Sequence, residues 1–300
     1  MRLSAIVPAT DKPVQLERVV SAIRAADDAP DDVIIVDEAP QAGPAAARNL
    51  GAARAAGDVL VFVDSDVVPH TDAFQRIRAA FAAEPELAAI FGSYDDAPPE
   101  TGAVSGFRNL LHHYIHQQSP GEASTFWAGL GAIRREVFLA AGGFDAERYP
   151  RASIEDIELG LRLARGGVRM RLDPALQGTH LKRWTLGTMI RTDLRARGVP
   201  WVALLAREQA SPSGLNLGWR HRLSAAASIG LVASLAGRRH RQAALALGTL
   251  VVLNAPFYRL LLQRRGPAQA IAGVGLHALH HLTGAAAVPL GLLEHARERR

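Results

Sequence analysis

Asp58-Val59-Leu60-Val61-Phe62-Val63-Asp64-Ser65-Asp66 is a short apolar run that stops abruptly in two carboxylates one residue apart. A run this brief and this rich in β-branched residues has the pattern of a strand buried on both faces. Side chains alternate along an extended chain, so residues two apart point the same way. Asp64 and Asp66 can therefore address one cation, or one unit of metal and phosphate. Hard divalent cations such as Mg²⁺ and Mn²⁺ take carboxylate oxygens and leave other positions to substrate phosphates. Taken alone, the triplet also reads as a solvated acidic turn, so its surroundings have to decide.

The surroundings alternate. Residues 3–7, 33–36, 59–63 and 87–91 read as strands, and residues 14–26, 44–56 and 71–83 as helices between them. That order implies βαβ units: an α/β fold with a Rossmann-like, mainly parallel sheet flanked by helices. Open sheets of this class bind ligands beyond the C-terminal ends of their strands, which is where Asp64 and Asp66 fall. Residues 95–124 are less regular, with a Pro- and Gly-containing loop before a helix near 107–116.

The chain has 300 residues, enough for one large or two modest domains with a real core. It contains no cysteine, which excludes disulfides, thiolate catalysis and cysteine-ligated zinc. The net charge of +5 is unevenly placed: acids crowd the first third (Asp27, Asp28, Asp31, Asp32, Asp37, Glu38) and arginines the last. Residues 1–8 are too short, and meet a proline too soon, for a signal peptide. The N-terminal half is expected on the cytoplasmic side.

From about Leu223 the character changes. Residues 223–237, 243–262 and 268–293 are apolar, rimmed by arginine and nearly free of acids. A membrane span takes about 20 residues. The second and third stretches reach that length and the first is borderline. Two or three membrane segments are expected, the first being either a span or an interfacial helix. A buried soluble bundle is the competing reading. His277 and His281 share a helical face here, a pattern that fits a packed role better than a metal site when no acid or cysteine stands nearby. The arginine clusters match no nucleic-acid-binding motif.

Four further features stand in order along the chain. Asp37 closes the second strand at the edge where Asp64 closes the third, and could accept hydrogen bonds from a nucleobase or ribose or serve as a turn residue. Ala47-Arg48-Asn49 lies in the intervening helix, where Arg48 either faces the ligand or is a solvated helix charge. Trp127-Ala128-Gly129-Leu130-Gly131 is a small-residue approach loop that leads toward Gly142-Gly143-Phe144-Asp145. Ser153-Ile154-Glu155-Asp156 opens an amphipathic helix, with Ser153 and Asp156 in capping-box spacing and Asp156 also a candidate general base.

These residues together resemble the family-two glycosyltransferases of the GT-A fold. Ala5-Ile6-Val7-Pro8 resembles their opening strand and turn, Val36-Asp37-Glu38 their Val-Asp-Asp, and Ala47-Arg48-Asn49-Leu50-Gly51 their Ala-Arg-Asn-x-Gly. Asp64-Ser65-Asp66 matches the D-x-D, and Gly142-Gly143-Phe144-Asp145 and Glu155-Asp156 match the acceptor-side motifs. The resemblance covers residues 1–184. It implies a GT-A transferase domain over 1–184. Beyond it, Leu186, Met189, Ile190 and Leu194 alternating with Arg191, Arg195 and Arg197 suit amphipathic interfacial helices and a linker over 185–222, with a helix closing a soluble core as the competing reading, and hydropathy gives a hydrophobic helical region over 223–300.

The resemblance also implies roles. Pro8, Asp37, Arg48, Asp64 and Ser65 would hold a nucleotide-sugar. Asp66 would ligate Mg²⁺ or Mn²⁺, with Asp64 and His180 beside it. Asp156 would deprotonate the acceptor, with Glu155 in support. Trp127, Gly129, Arg183 and Trp184 would face acceptor or product. His180 stands where relatives that work at membranes carry Gln, and Pro8-Ala9-Thr10 departs from the family's Pro-Thr-Tyr/Phe. The implied reaction is an inverting single displacement from a nucleoside-diphosphate-sugar to an acceptor hydroxyl; the apolar C-terminal segments separately lead to the expectation of a lipid or lipid-linked acceptor at the cytoplasmic face of the inner membrane. Two other readings stay open. One is a membrane protein that binds nucleotide-sugars without catalysis. The other is a nucleotidyltransferase, disfavoured because the turn at residues 8–13 lacks glycine.

Overall fold

The computed structural model describes residues 1–10, 14–38, 43–208 and 218–299. Residues 11–13, the remainder of the glycine-free turn, lie outside them. In chain order the elements are β1 (Leu3–Pro8), α1 (Leu16–Arg24), β2 (Asp32–Val36), α2 (Gly43–Arg54), β3 (Val59–Val63), β4 (Val67–Pro69), α3 (Ala73–Ala83), β5 (Ala89–Tyr94), α4 (Ala103–Gln117), β6 (Gly121–Glu122), β7 (Leu130–Arg134), α5 (Arg135–Ala140), α6 (Glu155–Arg165), β8 (Met170–His180), α7 (Leu186–Arg191), a π-helical segment (Thr192–Gly198), α8 (Val199–Glu208), α9 (Trp219–Ala236), α10 (His240–Leu253) and α11 (Ala255–Glu298). They divide into two units, one of residues 1–99 and 116–182, the other of residues 100–115 and 183–300.

The first unit is an α/β layer structure around an eight-stranded sheet ordered β2-β1-β3-β7-β5-β8-β4, with β6 paired to β8. The sheet is mixed. β2, β1 and β3 are parallel, as the βαβ pattern requires, and β5 and β8 are parallel too. β7 runs antiparallel between β3 and β5, and β4 antiparallel beside β8. Sequence periodicity around 59–63 could not reveal this, because β7 arrives from a loop and not from a helical crossover. The central strand is buried from Val59 to Val63. Phe62 packs against Phe126, Phe138 and Phe144 with ring centroids 5.2–6.4 Å apart. These are tilted and edge-on contacts, the arrangements that suit aromatic quadrupoles.

Asp64 accepts the turn-closing N–H of Val67 on its carbonyl at 2.9 Å. The chain then re-enters the sheet as β4, a strand too short to show a period of its own in the sequence. His180 is paired with Val67. Strand β8, also unexpected from sequence, alternates with a proline and several polar residues and gains its order from its neighbours. Asp95, just after β5, accepts a hydrogen bond from the Thr179 hydroxyl and lies 3.1 Å from His70 Nε2. These contacts fasten the end of β8 immediately beside His180.

In the second unit, Phe107, Leu110, Leu111, Tyr114, Phe257 and Leu261 form an apolar core with Trp184 and Met189. Asp193, in the π-helical segment, joins Arg108 (Nη1–Oδ1 3.1 Å) and His280 (Nδ1–Oδ2 2.8 Å). Tyr258 Oη lies 3.0 Å from His277 Nδ1, so the histidines of α11 are part of the packing. Among the described residues no three His, Cys, Asp or Glu side chains are grouped to hold a metal ion. The apolar stretch 243–262 is divided at Asn254, which caps α10 and starts α11. α11 is kinked at Gly266 (φ 79°), directly before Pro267. Among the described residues it is the helix long and apolar enough to cross a membrane.

The His70–Asp95 pair has a pH signature. Burial pushes Asp95 up, but hydrogen bonds from His70, Thr179 and Ala97 outweigh it and hold the carboxyl below the ordinary range. The Asp95 hydrogen bond raises His70. A lowered acid contributes stability above its unfolded pKa, and that contribution fades as pH falls through the folded value. A raised histidine contributes below its unfolded pKa and loses the contribution as pH rises through its folded value. The melting-temperature gap between the wild type and Asp95→Asn should be widest near pH ~5 and should narrow above neutrality. A gap that grows steadily toward alkaline pH would contradict the pairing.

Candidate active site

Three parallel strands end together. Pro8 is in register with Val36, and Ile6 with Phe62. Pro8, Asp37 and Asp64 therefore emerge at one sheet edge. Asp37 is exposed there, and Asp64, Ser65 and Asp66 are half-buried. The Asp64 N–H donates to the Gly129 carbonyl at 3.0 Å, which seats the approach loop against the acidic turn. Gly129 lies under the Trp127 indole, 2.3 Å from where a Cβ would sit, so no larger residue fits below that ring.

Helix α2 supplies the fixed point. Arg48 is 5% exposed and is not a solvated helix charge. Its Nη2 donates to Asp64 Oδ1 at 2.6 Å, and its Nη1 to Glu155 Oε1 at 2.9 Å. Burial would lower its proton affinity, but Asp64, Glu155 and Asp156 together raise it. The guanidinium also stands over the Phe144 ring, 5.6 Å from its centroid. The neighbouring side chain clamps the same segment. Asn49 Nδ2 donates to the Phe144 carbonyl at 2.8 Å, and the Phe144 N–H donates to Asn49 Oδ1 at 2.9 Å. Gly143 (φ 72°) precedes that clamp, and a Cβ on it would lie 2.6 Å from Asn49 Oδ1.

Helix α6 brings the other acids. It begins at Glu155, with Ile154 at the cap and no side-chain capping bond. The Ser153 N–H donates to Glu155 Oε2 at 2.9 Å. Glu155, Asp156 and Glu158 in the first turn, with Arg162 and Arg165 in the last, suit the helix dipole. Asp156 Oδ2 accepts the Ala128 N–H at 3.2 Å, which puts this acid on the loop that also touches Asp64. Gly160, one turn further, allows the approach: a Cβ there would meet the Phe126 nitrogen at 2.2 Å.

His180 is buried, with its Nε2 3.5 Å from Asp66 Oδ2. Its ring stacks on Tyr94 at 4.1 Å and 6°, and Trp127 meets Tyr94 edge-on at 5.0 Å. Burial pushes Asp66 up, but the hydrogen bond and charge of His180, with Lys182, bring it below the ordinary carboxylate value. Asp64 moves the other way: burial and the Asp66 charge raise it against the opposing pull of Arg48. Hard carboxylate oxygens with one imidazole form a donor set that suits a divalent cation completed by phosphate oxygens. Arg183 and Trp184 belong to the second unit. Trp184 is buried there, with its backbone N–H donating to Ser105 Oγ at 2.8 Å and Arg108 5.1 Å over its ring; Arg183 is exposed.

Sequence reading missed Tyr94 and the clamping role of Asn49. Tyr94-Asp95 closes a strand in acid, the same signal that drew attention to Asp64. Asn49 carried no signal of its own, since its partner lies 95 residues away.

Residues 38–140 match the Glycosyl transferase family 2 family. The chain carries a family-two glycosyltransferase domain. The match takes in Arg48 and the D-x-D and ends before Gly142. Pre-mycofactocin glycosyltransferases from two strains of Mycobacterium tuberculosis are 28% identical over 167 residues, which is 52% of this chain and 33% of theirs. The chain therefore spans about a third of the length of these curated relatives. The structure resembles a mannosyltransferase, PcManGT from Pyrobaculum calidifontis, solved with GDP-Man and Mn²⁺. The TM-score is 0.53 and the identity 17%, over 100% of this chain and 88% of that one. That likeness establishes the GT-A fold of the glycosyltransferase domain.

Removing the guanidinium should leave two acids facing each other without a counter-charge. Arg48→Met is expected to cost about 3 kcal/mol, at the low end for a buried pair because Asp64 is partly exposed. Thermal unfolding followed by tryptophan fluorescence would measure the cost. An unchanged melting temperature would remove Arg48 from its bridging role.

Proposed function

We propose that this protein transfers a sugar from a nucleoside-diphosphate-sugar to an acceptor hydroxyl. The observation that carries the reading is the Arg48 bridge. It ties the strand end bearing Asp64 and Asp66 to the helix start bearing Glu155 and Asp156, which supports a reading in which cation and base act at one place. The family match supports the reaction class, and the neighbour bound to GDP-Man and Mn²⁺ supports the donor class and the metal.

Asp66 would hold the divalent cation, with Asp64 and His180 beside it. Mg²⁺ and Mn²⁺ both suit that donor set. Bound there, the ion supplies neutralisation of charge on the departing diphosphate. Asp37, Pro8 and Ser65 line the edge where the nucleotide would rest, and Arg48 serves them by fixing Asp64. Asp156, held by the Ala128 N–H, removes the acceptor proton as its oxygen attacks the anomeric carbon. The bond to the diphosphate breaks with its electron pair, and one displacement inverts the centre. Trp127 and Gly129 shape the acceptor approach, and an acceptor or product role for Arg183 and Trp184 belongs to the same proposal.

The acceptor fits a lipid or lipid-linked molecule, because α11 can anchor the chain in a membrane; the cytoplasmic face of the inner membrane is the matching location. A panel of nucleotide-sugars with membrane lipid extract as acceptor, read by mass spectrometry, tests this. Asp156→Asn and Asp66→Ala should each lower turnover at least ~100-fold with the fold intact. Chelation should abolish transfer, and Mn²⁺ or Mg²⁺ should restore it. Near-normal turnover in Asp156→Asn would sink the base assignment. Donor binding without transfer under every condition would point to the non-catalytic alternative.

A further inference from the structure

Burial in α9 is inverted, and α10 beside it leaves much of its aliphatic surface exposed. The residues that α9 buries are Ser224, Ser228 and Ser234, whereas Leu223, Ile229, Val232 and Leu235 stand exposed. On α10, Leu245 and Val252 are 73% and 74% exposed. α10 itself buries Ala243 and Leu250. Between the helices Asn254, at the end of α10, donates its Nδ2 to Ser224 Oγ at 2.9 Å; within them Ser228 Oγ donates to the Ser224 carbonyl at 2.8 Å and Asn254 Nδ2 to the Leu250 carbonyl at 2.9 Å. Gly230 faces the Ala246 methyl. Water penalises a surface of this kind. Hydrocarbon favours it, because small residues and hydroxyls then make the helix contacts while branched aliphatics face the solvent.

Length decides how the pair meets the lipid. α9 and α10 have 18 and 14 residues, or ~27 and ~21 Å at helical rise. Their apolar parts are shorter still, against a hydrocarbon core ~30 Å thick. Arginine stands at both ends. Arg220 and Arg222 lie in the first turn of α9, and Arg238, Arg239 and Arg241 crowd the turn into α10. A crossing would drag one basic end through the core. A re-entrant dip would leave the guanidinium groups of the turn inside it, where charge is costly. Lying flat satisfies both ends, because arginines at headgroup level meet anionic lipid while the exposed leucine, isoleucine and valine side chains enter the acyl region.

We propose that α9 and α10 form an in-plane hairpin in one leaflet of an anionic bilayer, leaving α11 beyond its Gly266 kink as the crossing element. This rests on the membrane-bound reading above. The absence of cysteine makes single-cysteine labelling free of background. Full-length Arg222→Cys, Arg239→Cys and Leu245→Cys would be tested in sealed membrane vesicles of known orientation with a membrane-impermeant maleimide. They would then be reconstituted into phosphatidylcholine–phosphatidylserine vesicles carrying nitroxide lipid. Residues 222 and 239 should react in the same vesicle orientation, and a fluorophore at 245 should be quenched by shallow nitroxides. Reaction of 222 and 239 on opposite faces would overturn the in-plane hairpin while leaving membrane attachment standing. So would deep-nitroxide quenching at 239. A chain that fails to sediment with membranes would overturn the membrane reading itself, and the hairpin with it.

Discussion

One guanidinium holds the candidate site together. Arg48 is sunk below the sheet edge, and its two terminal nitrogens reach acids that are distant in sequence, Asp64 at the end of β3 and Glu155 at the start of α6. Two carboxylates brought this close would repel each other, and burial pushes Asp64 toward its neutral form. A fixed cation between them removes that repulsion and sets their spacing. The planar fork matters because an ammonium group cannot hold two carboxylates in two directions with the same geometry. Asn49 extends the same logic, since its amide faces the Phe144 backbone with donor and acceptor at once.

Around that point the site is built from backbone as much as from side chains. The Asp64 N–H is tied to Gly129, and Asp156 is tied to the Ala128 N–H. The loop before β7 therefore touches both groups of acids, and the Ile157 N–H holds the other Asp156 oxygen at 2.8 Å. On the other side His180 is held by the Tyr94 stack and by strand pairing next to Thr179. An imidazole restrained in this way faces Asp66 with little rotamer freedom left to lose, which is the condition for binding a cation without ordering cost.

The second unit follows a different solvent logic. Its core near Phe107 and Phe257 is aromatic and dry in the ordinary manner. α9 instead hides serines and shows leucine, isoleucine and valine, and α10 leaves Leu245 and Val252 exposed. Hydropathy alone marked these stretches as apolar. The burial of Ser224 and Ser228 and the bond from Asn254 to Ser224 are what the proposal of a lipid-facing pair rests on.

Much of this was legible in the chain. The run Val59–Val63, its terminal acids and the strand–helix alternation before it pointed to an α/β sheet with its ligand edge beside Asp64, because local periodicity and the C-terminal-edge rule depend on nearby residues only. The order of short motifs identified the glycosyltransferase family. Tertiary structure alone decided the antiparallel insertion of β7, the strand character of β4 and β8, and the break at Asn254. It also decided the partners of Arg48 and Asn49, which sequence left open between ligand contact and solvent. The Arg48–Glu155 and Asn49–Phe144 contacts span ~100 residues, and their energies come from burial and pairing that exist only once the distant segments meet. Periodicity reports which face of an element is apolar; it carries no information about what will be packed against that face.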